Sequence, residues 1–285
     1  MFRFPKSADV WSDLDREIAF LAYASSRLPV RVPQYIFVRH PERSEGSAVR
    51  RHSERSEESA PRRHSERSEE SAVRSGFAVY EYLRGTSLTA PDLSPTVGQQ
   101  VANLLRALHR LEPPPDVDAL LPREDPRAAV DEYRAGIDGV SLHLSREQRA
   151  ALDRVFDDYT GDPRSFHFTP RVLHADFSAE HILSDGAGKI TGIIDWGDVS
   201  WGDPDYDFAY LYADFGLPFV RDVARAYGHA NIDALAAKLR YFAVVDQIDT
   251  IALSAGRALP GQVDAAVARL RELLDQPATA GPYHI

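Results

Sequence analysis

Side chains that could bind a metal ion or accept a proton are concentrated between residues 174 and 198. Asp176 follows the apolar pair Val172-Leu173, and His181 begins a second short apolar run. Asp195 directly follows the apolar run Ile190–Ile194. Carboxylate oxygens bind divalent cations, and a carboxylate beside a substrate hydroxyl can accept its proton. These residue types predict a site that combines a divalent cation with proton transfer.

A turn between the two later apolar runs would bring these side chains together. The segment Asp185-Gly186-Ala187-Gly188 is a strong turn signal. Pairing the runs about this turn places His181 opposite roughly residue 193, so that Asp195 lies one or two positions away in space. Because Asp176 leads into the same hairpin, we expect all three side chains to converge at one end of a small sheet.

Strand patterns lie early in the chain and helical patterns late. Helices are predicted over residues 12–26 and 94–111, and a capping box at Ser145-Arg146-Glu147-Gln148 predicts a further helix start. After residue 200 apolar stripes with helical spacing dominate. Asp203 is expected to cap a helix with Pro204 at its first position. This order predicts an α+β fold in two lobes rather than a regular alternation of strands and helices.

Residues 39–74 form a repeat with a period of 12 residues. Its three units read RHPERSEGSAVR, RHSERSEESAPR and RHSERSEESAVR. The repeat has too few apolar residues for their burial to offset the entropy cost of ordering the segment. We therefore expect a disordered insertion outside the core. Joining Tyr35–Val38 to Ser75–Tyr80 across the repeat yields an ordinary hairpin, which predicts that the insertion lies at a hairpin tip.

Composition excludes several classes of protein. The 285 residues carry a formal net charge of −10, which argues against a nucleic-acid partner, and no cysteine, which excludes disulfides and thiolate metal sites. No apolar run approaches the roughly 18 residues of a membrane helix, and the N-terminus has no signal-peptide pattern. The expectation is an acidic cytoplasmic protein with neither a nucleic-acid nor a membrane partner.

The residues between 174 and 208 resemble a known family, the aminoglycoside phosphotransferases, which share the protein-kinase fold. The similar elements are His174-Ala175-Asp176-(x4)-His181, then Ile194-Asp195-Trp196-Gly197-Asp198, then Asp203-Pro204-Asp205-Tyr206-Asp207-Phe208. The family pattern is His-Gly-Asp-(x4)-Asn, Ile-Asp-Phe/Trp-Gly-Asp and an Asp-Pro turn that enters a helix. The resemblance implies a kinase-like α+β fold, with a small truncated N-lobe sheet (1–82), a hinge and a larger helical C-lobe (83–285).

The resemblance also implies roles for individual residues. Asp176 would be the catalytic aspartate, while His181, at the Asn position, and Asp195 would hold Mg²⁺. Arg3 would bind the nucleotide phosphates and pair with Glu17 of a helix. The hinge at Glu81 and Tyr82 would receive the purine through its backbone.

The implied reaction moves the γ-phosphate of ATP or GTP to a hydroxyl of a small molecule, the kind of activity that confers antibiotic resistance. An acidic pocket would suit a cationic acceptor, and its candidates are Asp198 and Asp205. Asp246 and Asp249 are further acidic candidates, although a solvated helix edge is the favoured interpretation of this pair. His174 is expected to brace the loop rather than to contact substrate.

Departures from the family pattern keep other functions open. Ala175 replaces glycine, His181 replaces asparagine, Arg3 replaces lysine, and the two strands and glycine-rich loop that precede the third strand are missing. The main alternative is a non-catalytic kinase-like protein that binds a nucleotide or a partner. A metal hydrolase that uses Asp176, His181 and Asp195 is a third interpretation, which lacks further ligands at metal-binding spacing.

Overall fold

The secondary structure is mainly helical, with short strands. A computed structural model of the chain describes residues 2–3, 8–39, 77–123, 125–257 and 259–275, with the backbone alone for 2–3 and 8–10. Its helices are α1 (Ala8–Ala24), α2 (Pro95–Leu108), α3 (Pro115–Asp118), α4 (Pro126–Ser141), α5 (Arg146–Gly161), α6 (Asp207–Tyr227), α7 (Ile232–Gly256) and α8 (Pro260–Asp275). Its strands are β1 (Phe2–Arg3), β2 (Tyr35–Arg39), β3 (Phe77–Tyr80), β4 (Thr86–Ser87), β5 (Arg171–Leu173), β6 (Ile182–Ser184), β7 (Ile190–Ile193) and β8 (Ser200–Gly202).

The smaller lobe is a sheet of order β1-β3-β2 covered by α1. Its neighbouring strands are antiparallel, and Arg39 of β2 lies opposite Phe77 of β3. The two strands that flank the repeat therefore pair as expected. Trp11 and Leu14 of α1 pack against Ala78 of β3 and form the small core of this lobe. The repeat itself, apart from Arg39, lies outside the described residues.

The larger lobe is built on long helices whose apolar stripes face one another. The fully buried positions of its core include Leu104, Leu105, Leu108, Leu152, Phe156, Phe208, Leu211, Val220, Val223, Leu239 and Val244. Stripes at helical spacing in the sequence correspond to α2, α5, α6, α7 and α8. The capping box at the start of α5 is present, with Ser145 accepting from Gln148 N–H. The chain thus has a two-lobed α+β fold, while the exact division after residue 82 stays a prediction.

Two small sheets flank the loops that carry Asp176, His181 and Asp195. β4, β6 and β7 form one sheet and β5 pairs with β8 in the other, all antiparallel. Ile182 lies opposite Ile193, and Ile194 N–H donates to the His181 carbonyl at 3.0 Å. His181 therefore faces residue 194, one position from the predicted partner, and Asp195 is adjacent.

The helix expected to begin at Pro204 begins later. Asp203 accepts the backbone N–H of Asp205 at 3.1 Å, and its carbonyl accepts Tyr206 N–H at 2.9 Å, so residues 203–206 form a turn. Helix α6 then begins at Asp207. The prediction was wrong because an Asp-Pro pair starts a turn as readily as a helix. Within the described residues, no helix has the length and apolar character needed to cross a membrane.

Candidate active site

The loop after β5 presents Asp176 from a backbone that is held on both sides. Ala175 has a φ of 63°, in the left-handed region that costs a residue with a Cβ about 1 kcal/mol. Asp207, at the start of α6, stabilises this conformation because its carboxylate accepts the N–H of His174 at 3.1 Å and the N–H of Ala175 at 2.9 Å. His109 lies 3.0 Å from the same carboxylate, which is fully buried.

His174 braces the loop from inside, as the sequence predicted. Its Nε2 donates to the carbonyl of Ile194 at 3.1 Å, and its Nδ1 accepts the N–H of Asp176 at 3.3 Å. This pattern requires the neutral imidazole with the proton on Nε2. Complete burial agrees, since it lowers the pKa of His174 to about 4. The ring thus connects the loop of Asp176 to the strand end that carries Asp195.

His181 has its two ring nitrogens in different environments. Its Nδ1 lies 2.9 Å from the carbonyl of Asp176 and 3.4 Å from the Asp176 carboxylate. Because a carbonyl can only accept, Nδ1 carries a proton. Nε2 points toward Asp195 and Glu180, at 3.7 and 3.8 Å from their carboxylate oxygens. In the neutral ring, the Nε2 lone pair is therefore available to a cation next to Asp195.

The chemistry of this donor set, an imidazole nitrogen and a carboxylate, fits a divalent cation. Asp195, with a φ of 61°, turns a half-exposed carboxylate toward His181. Among the residues that the structure describes, no group of three or more His, Cys, Asp or Glu side chains is arranged to hold a metal. Mg²⁺ in phosphoryl-transfer sites typically uses one or two protein ligands and completes its shell with phosphates and water, so two protein ligands suffice.

The carboxyl group of Asp176 has a pKa above that of an ordinary aspartate. Burial, opposed by His181 and reinforced by Asp198 and Asp195, raises the pKa of Asp176 to about 6. A carboxylate with such a pKa can accept a proton at neutral pH and is a better base than an ordinary aspartate.

Asp176 opens into a cleft of about 500 Å³ with acidic and aromatic walls. The acidic residues of the lining are Asp176, Asp198, Asp203, Asp246 and Asp249. The aromatic ones include Tyr133, Tyr159, Phe168, Trp201, Tyr206, Tyr210, Tyr241 and Phe242. Arg16 of α1 also lines the cleft and donates to the carbonyl of Gly197. Aromatic side chains pack against the faces of a sugar or another ring, and carboxylates bind amines.

Asp246 and Asp249 both face this cleft, although a solvated edge was the favoured interpretation. Asp246 is half-buried and accepts from Tyr210 Oη at 3.3 Å and from Gln247 Nε2 at 2.8 Å. Burial raises the pKa of Asp246. Asp249 is exposed at the rim.

Asp205, in contrast, is engaged within the protein. Its carboxylate lies 2.5 Å from Lys238 Nζ and 2.8 Å from His229 Nε2, and the residue is buried. It lines a neighbouring cavity of about 260 Å³ rather than the cleft at Asp176. The expectation that Asp205 contacts a cationic acceptor is corrected by this placement, since Lys238 already supplies its counter-charge.

The residues predicted to bind the nucleotide lie in the smaller lobe and the hinge. Arg3 is on β1, with its side chain outside the described part, and Glu17 of α1 is almost completely buried. The carboxylate of Glu81 pairs with Arg31 at 2.7 Å, and its N–H donates to Gln34. Tyr82 follows with an exposed ring.

Sequence reasoning missed the residues that position the loop. Asp207 was part of a recognised motif but had no role assigned, and the partner of its carboxylate, His109, stands alone in an apolar helix pattern without a signal. Asp214, which accepts the N–H of Ala179 at 2.7 Å, was not singled out either.

Comparisons with known proteins identify the family of this chain. The model of the phosphotransferase enzyme family matches residues 1–242. Viomycin phosphotransferase of Streptomyces vinaceus is 33% identical over 156 residues, which cover 50% of this chain and 50% of that protein. The chain thus spans about half the length of this curated relative.

Solved structures extend the similarity to the fold. The GDP complex of wild-type aminoglycoside 2'-phosphotransferase-IIIa superposes with a TM-score of 0.78 at 24% identity, over 96% of this chain and 85% of that one. The GDP and kanamycin complex of APH(2")-IIia has a TM-score of 0.77 at 26% identity, over 95% and 85%. The kinase-like two-lobed fold implied by the resemblance is confirmed. With a family match across both lobes and the loop of Asp176, the chain belongs to the phosphotransferase enzyme family.

Proposed function

We propose that this chain is a small-molecule kinase that transfers the γ-phosphate of ATP or GTP to a hydroxyl of a cationic acceptor. The observation that carries the proposal is the convergence of Asp176, which lines the acidic cleft, with His181 and Asp195. His181 lies 3.4 Å from the Asp176 carboxylate and 3.7 Å from that of Asp195. One group for the proton and two for a cation thus lie side by side.

Asp176 orients the acceptor hydroxyl and accepts its proton as the oxygen attacks the phosphorus. Phosphoryl transfer needs little covalent help, so positioning and charge neutralisation supply most of the rate. Because His174 and Asp207 hold the loop backbone, the carboxylate of Asp176 is preorganised and does not have to reorient during the reaction.

His181 Nε2 and Asp195 would hold Mg²⁺, which neutralises charge on the nucleotide phosphates when bound. Arg3 and Glu17 are proposed to act on the phosphates from the smaller lobe, and the carbonyl of Glu81, next to Tyr82, to receive the purine. Residues 1–82 would then form the nucleotide lobe and 83–285 the acceptor lobe. The APH(2")-IIia structure is a complex with GDP, which supports a purine nucleotide here.

The acceptor is proposed to carry amines and at least one ring. Asp198, Asp246 and Asp249 present negative charge along the cleft, and the APH(2")-IIia structure, 26% identical to this chain, contains kanamycin as well as GDP. Tyrosine and tryptophan rings of the same cleft would pack on the ring faces.

The test is nucleotide binding followed by phosphate transfer on the full chain. Calorimetry with ATP and GTP in the presence of Mg²⁺ should show micromolar binding, lost in Asp195→Ala. A panel of polycationic and neutral hydroxylated acceptors is then assayed for phosphate transfer. Asp176→Asn should lower transfer at least about 100-fold with little change in nucleotide affinity, because it removes the proton acceptor and leaves the metal site.

Asp222→Asn is the matched control, since Asp222 is an exposed carboxylate on α6, paired with Arg225. Nucleotide binding with no transfer to any acceptor, and no effect of Asp176→Asn, would favour a non-catalytic binding protein. No binding at millimolar nucleotide would refute the proposal.

A further inference from the structure

We infer that Asp214 of α6 is a positioning residue that aims the imidazole of His181 at Asp195. The inference rests on the proposed function for its consequence, the affinity for the metal. The placement of His181 by Asp214 does not depend on the proposed function and can be tested without a metal or nucleotide.

Asp214 caps a short turn for which the preceding residue provides no side-chain cap. His181 ends a short 3₁₀ turn, Ala179–His181, whose first N–H groups need acceptors. Ser178 occupies the capping position but makes no side-chain cap, and its Oγ lies 3.1 Å from His181 Nδ1 instead. The carboxylate of Asp214 accepts Ala179 N–H at 2.7 Å, a short bond of the charge-assisted kind.

The same helix face holds both ends of the loop. Asp207 accepts the N–H groups of His174 and Ala175, just before Asp176, and Asp214 accepts that of Ala179, just before His181. The two carboxylates are seven residues apart, about two helical turns, and so lie on one face of α6. A rigid helix thereby determines the separation between the proton acceptor and the metal ligand.

The turn has other anchors, on β4 and at Ile194, whose N–H donates to the His181 carbonyl at 3.0 Å. Leu88 N–H donates to the Ala179 carbonyl at 3.1 Å, and Ser87 Oγ donates to the Glu180 carbonyl at 2.9 Å. Loss of the Asp214 bond therefore leaves the turn attached to β4 but no longer held against α6. We expect such a variant to fold, with His181 displaced or mobile.

The surroundings of Asp214 act on its charge in both directions. Burial raises the pKa of Asp214, the bond from Ala179 N–H lowers it, Glu180 raises it, and Arg269 and His181 lower it. The accepted N–H bond, rather than a net ion pair, is thus the interaction to test. Asparagine keeps an acceptor oxygen at this position without the charge, whereas alanine removes both.

The experiment compares Asp214→Ala, Asp214→Asn and Asp222→Ala with the wild-type chain. In metal-free protein, ¹H–¹⁵N correlation NMR of the imidazoles reports the tautomer of His181. Binding of Mn²⁺ in the presence of a non-hydrolysable nucleotide is measured by electron paramagnetic resonance. Thermal unfolding reports whether a variant is merely destabilised.

We expect Asp214→Ala to lose the single Nδ1–H tautomer of His181 and to bind Mn²⁺ about 10-fold more weakly, the usual effect of removing an outer-shell partner. Asp214→Asn should stay within about threefold of wild type, and Asp222→Ala should match it. An unchanged His181 tautomer in Asp214→Ala overturns the inference. If the tautomer changes but wild-type protein binds no Mn²⁺, the positioning role stands and the proposed function fails.

Discussion

At residue 181, the imidazole has one nitrogen bonded to the loop and the other directed at Asp195. Because Nδ1 is bonded to the Asp176 carbonyl, the other ring nitrogen, Nε2, is the atom that would bind the cation. Mg²⁺ prefers oxygen ligands, whereas imidazole suits transition metals such as Mn²⁺ better. The choice of side chain at this one position should therefore be visible in metal preference.

Changing His181→Asn should lower the ratio of Mn²⁺-supported to Mg²⁺-supported transfer several-fold, because an amide oxygen replaces the ring nitrogen. The measurement is the initial rate of transfer against the concentration of each metal at saturating nucleotide. His143→Asn, at an exposed histidine, is the control. An unchanged ratio would mean that Nε2 does not meet the metal.

At the scale of elements, an ion pair joins α7 to the turn that leads into α6. Lys238 Nζ lies 2.5 Å from both Asp203 and Asp205, and all three residues are buried. Burial and the neighbouring Asp205 raise the pKa of Asp203 to about 6, whereas Lys238 lowers it. Asp207, the first residue of α6, follows two residues after Asp205.

The variant Lys238→Met should lower the free energy of unfolding by about 3 kcal/mol, since it leaves two buried carboxylates without their cation. Urea unfolding followed by circular dichroism measures this loss. Lys189→Met removes an exposed lysine and should change stability by less than about 0.5 kcal/mol. Equal effects in the two variants would contradict a structural role for the buried pair.

For the whole molecule, the long insertion enters and leaves the fold at one point. Arg39 and Phe77 are opposite partners across β2 and β3, so the ends of residues 40–76 are adjacent. Closing such a segment into a loop costs entropy when the chain folds, although the sheet does not require the segment in order to form.

Replacing residues 40–76 by Asn-Gly should preserve the fold and raise stability by about 2 kcal/mol, since a shorter loop costs less to close. Removing residues 51–62 alone should add only about 0.3 kcal/mol. Urea unfolding and nucleotide affinity of both variants check this. Loss of stability in the larger deletion would mean that the repeat packs on the domain.

Features that depend on neighbours in the chain could be predicted from the sequence. The capping box at Ser145, the turn at residues 185–188 and the apolar stripes of α2 and α8 are local patterns, because helix and hairpin geometry relate residues a few positions apart. For the same reason the grouping of His181 with Asp195 was predicted to within one residue of register. The family motif then supplied the chemistry for Asp176.

Only the tertiary structure decided which distant side chains hold the site in place. Asp207 and Asp214 accept backbone N–H groups of a loop that lies more than 30 positions earlier in the chain. Lys238 binds the carboxylate of Asp205, which the sequence had suggested as a contact for the substrate. A backbone N–H is the same at every residue, so no pattern of side chains marks the acceptor that will meet it. Which carboxylate reaches which N–H follows from how α6 and α7 pack on the core, and that packing depends on the whole chain.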